Sequence, residues 1–236
     1  KMNCSGVSFV ISDVIGDDLS AISSGLTFYD NTTFNQSLKI IKKYKIKNKI
    51  PKNVIKVLEM GKNKKITETP KKPILKNFII SNNKKCLLAM ADKAKKMNYS
   101  VTIVHDLNSD IKKAAKMIVN RLKTTKKSCV IFGGESTVRV TGTGKGGRNQ
   151  ELVLRIVKEL KNEKNESIVA SVGTDGIDGN TKYAGAVFSN KKLTNCQSYL
   201  KNNNSLGFFN KFGGLIQTGP THANVNDIGV IITRNL

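Results

Sequence analysis

The densest chemical signal in the chain is an eleven-residue run, Thr141-Gly142-Thr143-Gly144-Lys145-Gly146-Gly147-Arg148-Asn149-Gln150-Glu151. Its four glycines permit positive φ angles, so successive backbone N–H groups can point at one spot and form an anion-binding nest. The helix expected to follow adds the positive end of its dipole. Lys145 and Arg148 sit at that same end, where an unaided cation costs about 0.3–1 kcal/mol. A phosphate or carboxylate held among Gly144, Gly146, Gly147 and Asn149 would turn the cost into attraction, so the two cations point to a bound anion. The spacing Gly142-x-Gly144-x-x-Gly147 matches the dinucleotide fingerprint in form. The acid that the fingerprint requires about 20 residues on is missing, because the next strand ends only at Asp175. Lys145 is followed by glycine rather than Ser or Thr, which excludes a Walker loop. The other reading of the run is a flexible hairpin exit.

Three more loops carry polar chemistry. In Gly173-Thr174-Asp175-Gly176-Ile177-Asp178-Gly179-Asn180-Thr181 the two aspartates framed by glycines suit a hard cation or a hydroxyl-bearing ligand. The spacing resembles part of a calcium loop without its terminal Glu; simple Asx-turns are the alternative. Gly219-Pro220-Thr221-His222-Ala223-Asn224-Val225-Asn226-Asp227 lies between two apolar runs and is expected to line a site. Within it His222 is either a general base or a solvated loop imidazole, and His105 reads the same way. An early turn, Ser12 to Asp18, holds Asp13, Asp17 and Asp18. No Gly-x-Ser-x-Gly elbow is present, so no hydrolase triad is indicated.

The elements that must position these loops follow from periodicity. Val7 to Ile11 reads as a buried strand. Asp30 to Thr33 offers an N-cap for a helix with Phe34, Leu38, Ile41 and Tyr44 on one face. Pro51 opens a second helix that Gly61 closes. Lys62 to Pro73 is lysine-rich, without an apolar period, and reads as a linker. Beyond it strands (78–80, 101–104, 129–132, 136–140, 168–172, 215–218, 228–232) alternate with helices (84–97, 109–123, 149–161). The alternation predicts an α/β fold with an open, largely parallel sheet and helices on both faces, its ligand site at the strands' carboxyl ends.

Composition bounds the rest. The 236 residues are 39% hydrophobic, enough for a core, and no run of about 18 apolar residues could span a bilayer. Forty Lys+Arg against 17 Asp+Glu give a net charge of +23. Most lysines between residues 39 and 127 are interleaved with Asn and Ile, only five arginines occur and there is no Trp. That distribution reads as a solvated surface rather than a nucleic-acid interface. Cys4, Cys86, Cys129 and Cys196 form no Cys-x-x-Cys pair and read as reduced thiols. No signal peptide opens the chain, and the expected location is the cytoplasm. A buried strand beginning six residues in implies that part of a larger protein precedes it.

Taken in order, Gly133-Gly134-Glu135-Ser136-Thr137, the run 142–151, Gly173 to Gly179, and Thr218-Gly219-Pro220-Thr221 with Asn224-Val225-Asn226-Asp227 resemble the C-terminal MOFRL domain of class II glycerate 2-kinases. Ser12 to Asp18 with Ser24-Gly25-x-Thr27 resembles the end of that family's N-terminal domain. The resemblance implies residues 1–61 as a remnant of a Rossmann-like first domain, a linker at 62–75, and a C-terminal α/β domain at 76–236 containing the MOFRL region at about 128–234. It also implies ATP-dependent phosphorylation of the 2-hydroxyl of D-glycerate, with Mg²⁺, in a cleft between two domains, an activity for which phosphoryl alignment and charge neutralisation suffice.

On that resemblance, Arg148, Lys145 and Asp175 are the catalytic residues. Glu135, Ser136, Gly144, Gly146, Gly147, Asn149, Thr221, Asn224 and Asn226 are substrate or phosphate contacts. Asp175, Asp178 and Asp227 are metal ligands, and Asp13, Asp17 and Asp18 contribute from the first domain. The implied partners are D-glycerate and either a missing N-terminal half or a second copy of the chain; a membrane is not implied. The sequence departs from the family at Leu26, at Asn180 to Lys182 and at His222-Ala223, and it lacks the family's upstream residues. The competing readings are a hydroxypyruvate reductase-type oxidoreductase, a non-catalytic remnant or half-enzyme, and a basic RNA-binding module.

Overall fold

The computed structural model describes residues 5–72, 75–123 and 127–234; Cys4 and residues 73 and 74 of the expected linker lie outside these. Packing divides the chain into two units, Lys1–Val10 with Asp18–Ile79, and Ile11–Asp17 with Ile80–Leu236. The acidic turn at 11–17 therefore goes with the larger unit, and the lysine-rich stretch from 62 onward with the smaller.

In the smaller unit, β1 (Val7–Ile11) pairs with β2 (Lys76–Ser81) as a two-stranded ribbon, with α1 (Phe34–Lys43) and α2 (Lys52–Lys62) between them in sequence. Thr33 caps α1 by a capping box: its Oγ1 accepts from Gln36 N at 3.2 Å while Gln36 Oε1 accepts from Thr33 N at 2.7 Å. Pro51 precedes α2, as expected of a residue with no N–H to satisfy. Gly61 lies within the last turn of α2 rather than closing it; it is buried so close to the Phe34 ring that a Cβ there would clash.

The larger unit runs α3 (Asn83–Lys96), β3 (Ser100–Leu107), α4 (Ile111–Val119), β4 (Lys127–Gly134), α5 (Arg148–Glu159), β5 (Glu166–Gly173), β6 (Gly185–Ser189), α6 (Gln197–Lys201), α7 (Ser205–Phe212), β7 (Leu215–Ile216) and β8 (Asp227–Arg234). Its open sheet has the order β3-β4-β8-β5-β6-β7. One side is covered by α4, α5, α6 and α7, against Val130, Phe132, Val169 and Ile231; α3 covers the other, against Cys129 and Ile131. Alternate residues of β4 enter opposite cores, which is why its sequence reads as one apolar run.

The sheet is mixed, not largely parallel. Only β3 and β4 are parallel; β4–β8, β8–β5, β5–β6 and β6–β7 are antiparallel. The final strand inserts between β4 and β5, and a strand buried on both faces shows the same apolar run in either direction. Nor do residues 136–140 form a strand: Thr137 makes a single bridge to Asp110, with Ile111 N donating to Thr137 O at 2.9 Å. No helix among the described residues is long and apolar enough to cross a membrane.

Candidate functional site

The site is built on the first turn of α5, where β4, β5 and β8 bring their ends together. Register pairs Gly134 with Asp227 and Gly173 with Asp227, so β8 presents its first residue between the exits of two neighbours. Asp227 meets Arg148 there. Arg148 Nε donates to Asp227 Oδ2 at 2.6 Å and Nη2 to Oδ1 at 3.1 Å, while Nη1 donates to Glu135 Oε1 at 2.6 Å. A guanidinium has five N–H groups, so two remain for a ligand. Burial, the largest influence, pulls the Arg148 pKa down. The hydrogen bond and charge of Asp227 and the charge of Glu135 outweigh it, and the net direction is up.

Behind this pair lies a buried polar network. Asn149 Nδ2 donates to Asp227 Oδ1 at 3.0 Å and to Asp178 Oδ1 at 3.3 Å, and Asn149 Oδ1 accepts from Ser171 Oγ on β5 at 2.6 Å. Asp178 accepts from the backbone N–H groups of Asn149 and Gln150, both at 2.9 Å, and so caps α5 from 28 residues away. Burial raises the Asp178 pKa to about 6, against the two backbone donors, which lower it. Burial also raises Asp227, opposed by Arg148.

The glycine run differs from the expected nest. Thr141 N and Gly142 N donate to Asn203 Oδ1 at 2.8 and 3.0 Å, Thr143 N to Asn202 Oδ1 at 2.9 Å, Gly144 N to Asn202 O at 2.9 Å and Lys145 N to Asn204 Oδ1 at 3.3 Å. The first half of the nest is thus filled by the chain's own asparagines. The glycines are required there by closeness, since a Cβ at Gly142 or Gly144 would strike residues 202 and 204. Glu151, absent from the sequence reading as a functional residue, holds this arrangement. Its Oε2 accepts from Asn203 Nδ2 at 3.2 Å and its Oε1 from Arg155 Nη2 at 2.6 Å.

The second half remains available. Among the described residues, the N–H groups of Gly146, Gly147 and Arg148 have no protein acceptor. Gly146, Gly147 and Arg148 line a cavity of about 650 Å³, whose walls also include Ser136, Asp175, Asp178 and Ser205. Ser205 Oγ is buried without a hydrogen-bond partner and lies against Gly146. Within the expected nest, the unpaired amides that an anion would need are thus confined to residues 146–148.

The other expected residues divide. Lys145 is exposed and is not part of the cavity wall. Thr221 and Asn224 shape the neighbouring loop: Thr221 Oγ1 donates to Ala223 O at 3.0 Å, and Asn224 Nδ2 donates to Asp13 Oδ2 at 3.4 Å. Asn226 is buried at φ 67°, with its carbonyl accepting from Thr174 Oγ1 at 2.7 Å. Asp17 accepts from Asn82 Nδ2 at 2.5 Å. Asp18 belongs to the smaller unit, where its carboxylate accepts from Ser20 N at 2.9 Å. His222 is exposed in its loop, and exposed His105 pairs with Asp106.

The expected metal site requires correction. Among the described residues, no group of three or more His, Cys, Asp or Glu side chains is placed to hold an ion. Asp178 and Asp227 have both oxygens engaged by Arg148, Asn149 and the start of α5. Only Asp175 keeps an oxygen free, its Oδ1 accepting from Ile177 N at 3.0 Å. The three aspartates do not fit Mg²⁺ as a joint ligand set.

Fold and site together define an α/β domain of the MOFRL type: residues 128–227 match the MOFRL family, and residues 2–59 match a domain of unknown function, DUF4147. The chain is 34% identical to a glycerate 2-kinase of Pyrococcus horikoshii over 98% of its length and 35% identical to a D-glycerate 2-kinase of Thermotoga maritima over 96%. It spans 56% of each of those relatives. The crystal structure of a Thermotoga maritima glycerate kinase superposes with a TM-score of 0.83 at 32% identity, covering 97% of this chain and 57% of that one. The chain belongs to the class II glycerate 2-kinase family and corresponds to part of the full-length enzyme.

Proposed function

We propose that this chain carries the substrate-handling part of a glycerate 2-kinase, which transfers a phosphoryl group from ATP to the 2-hydroxyl of D-glycerate. The observation that supports this best is Arg148, clamped by Glu135 and Asp227 with two N–H groups left over, beside the three unpaired amides of residues 146–148. Such preorganised donors suit a substrate carboxylate or a phosphoryl oxygen, whose bidentate geometry a guanidinium matches.

On this reading Arg148 and the amides of Gly146 and Gly147 bind the anion, and Ser205 Oγ donates to it. The free oxygen of Asp175 accepts a hydroxyl of the substrate. Asp178, Asn149 and Asp227 are positioning residues: they fix the first turn of α5 and the plane of the Arg148 guanidinium. Family membership implies ATP and Mg²⁺, and Asp178 and Asp227, with both oxygens already engaged, are not free to hold the ion.

The test is a chimera in which this chain replaces its counterpart in the Thermotoga maritima relative. The chimera is expected to form 2-phosphoglycerate from ATP and D-glycerate, read by phosphorus NMR, and Arg148→Ala is expected to abolish it. A folded chimera without product, or full activity in Arg148→Ala, overturns the proposal. Oxidation of NADH with hydroxypyruvate would favour the reductase reading instead.

A further inference from the structure

We propose that a second cavity of the larger unit, about 440 Å³ in volume, binds a small hydrophilic molecule carrying two or more phosphate groups. It lies where the start of α4, residues 139–141, α5 and α6 meet. Five of its twelve lining residues are cationic: Lys112, Arg139, Arg155, Lys158 and Lys201. With 40 Lys+Arg in 236 residues, a wall of that size would hold about two by composition alone. Two of the chain's five arginines are among them, though lysine is the overwhelmingly commoner cation.

The two carboxylates in the wall offset only two of its five positive charges and leave a net charge of +3. Glu151 is taken by Arg155 and Asn203, and Asp110 caps α4 by accepting from Lys112 N at 2.9 Å. Lys158 Nζ donates to the neutral Gln197 Oε1 at 2.8 Å. Among the described residues, the side chains of Lys112, Arg139 and Lys201 have no acidic partner. Like charges gathered in a concavity repel one another and focus a positive potential there, which a polyanion relieves. The volume falls in the range of small-molecule sites, roughly 300–1,000 Å³. Only Ile111 and Leu200 are apolar and no aromatic ring lines the wall, which favours a phosphorylated sugar or acid over a nucleobase.

The site is separate from the anion subsite at residues 146–148, and it does not depend on the kinase reading. The two share one strut: Glu151 and Asn203, which brace the amides of Thr141 and Gly142, are in the walls of both cavities.

The probe is inorganic pyrophosphate, titrated calorimetrically into the 236-residue chain at roughly physiological ionic strength to screen diffuse attraction. The expected result is one saturable site that the exposed pair Arg139→Ala/Lys201→Ala weakens by about tenfold or more. The charge-matched pair Lys49→Ala/Lys52→Ala, in the smaller unit, is expected to change it less than about twofold. Absence of saturable binding overturns the proposal, as does equal weakening by both pairs, which would mean diffuse charge. Loss on Arg148→Lys with no change in Arg139→Ala/Lys201→Ala also overturns it, by placing the pyrophosphate in the other cavity.

Discussion

The ribbon of β1 and β2 and the strand β4 are equally apolar in sequence and opposite in circumstance. Val130 and Phe132 of β4 are 0% and 1% exposed. On the ribbon, Val7, Phe9 and Phe78 are 54%, 71% and 42% exposed, with the two phenylalanine rings 6.3 Å apart on one face. A strand's apolar pattern therefore states what could be buried, and only the layers around it decide whether it is. The larger unit closes two cores of its own around β4, whereas a two-stranded ribbon is marginal by itself.

The difference can be broken by mutation. Phe132→Ala is expected to destabilise the chain by about 3–5 kcal/mol, as a large cavity in a closed core does, while Phe9→Ala shifts it by about 0.5 kcal/mol or less; urea unfolding of both variants checks this. Equal losses would show that the ribbon face is part of a sealed core.

The larger unit also buries charge, which the ribbon does not. Asp178, raised to about 6 by burial, binds its proton more tightly folded than unfolded. Stability from this group is therefore greatest below about pH 4, falls as pH rises to about 6 and is then flat, a total on the order of 3 kcal/mol. Urea midpoints measured across that range should show the fall in the wild type and a reduced slope in Asp178→Asn.

Next in size is Arg148→Ala, which leaves Asp227 buried without its cation. Because Arg148 is about one-third exposed, the expected loss is about 2–3 kcal/mol rather than the value for a fully buried pair. Calorimetric unfolding measures it, and restoring the loss with a second change, Asp227→Asn, would confirm the pairing. A smaller effect than at Arg148 is expected for Gly147→Ala, about 1–2 kcal/mol, because its Cβ would press on the Asp178 carboxylate and displace the cap of α5. Amide exchange at Asn149 and Gln150 is the sensitive readout, since those N–H groups are the ones released.

Local signals in the sequence reached the elements well. Thr33, Pro51 and the apolar runs of β4, β5 and β8 announce their roles within a few residues. Arg148 stood out because a cation at a helix start needs an anion. Its partners in the structure are Asp227 and Glu135 of the chain itself, brought to it by the ends of β8 and β4 rather than by neighbouring sequence. The run Asn202-Asn203-Asn204 gave no warning either, as asparagines in a loop look alike whether they face water or stitch a distant glycine backbone. Strand direction was illegible for the same reason: pairing of β8 between β4 and β5 is a long-range choice.

Whether Arg148 offers two free N–H groups to an anion at residues 146–148 is tested most directly by calorimetric titration of D-glycerate into this chain and its Arg148→Lys variant. The prediction is saturable binding that lysine weakens by about tenfold, since an ammonium loses the fork while keeping the charge. Equal affinity in the two proteins, or no binding to the wild type, would contradict it.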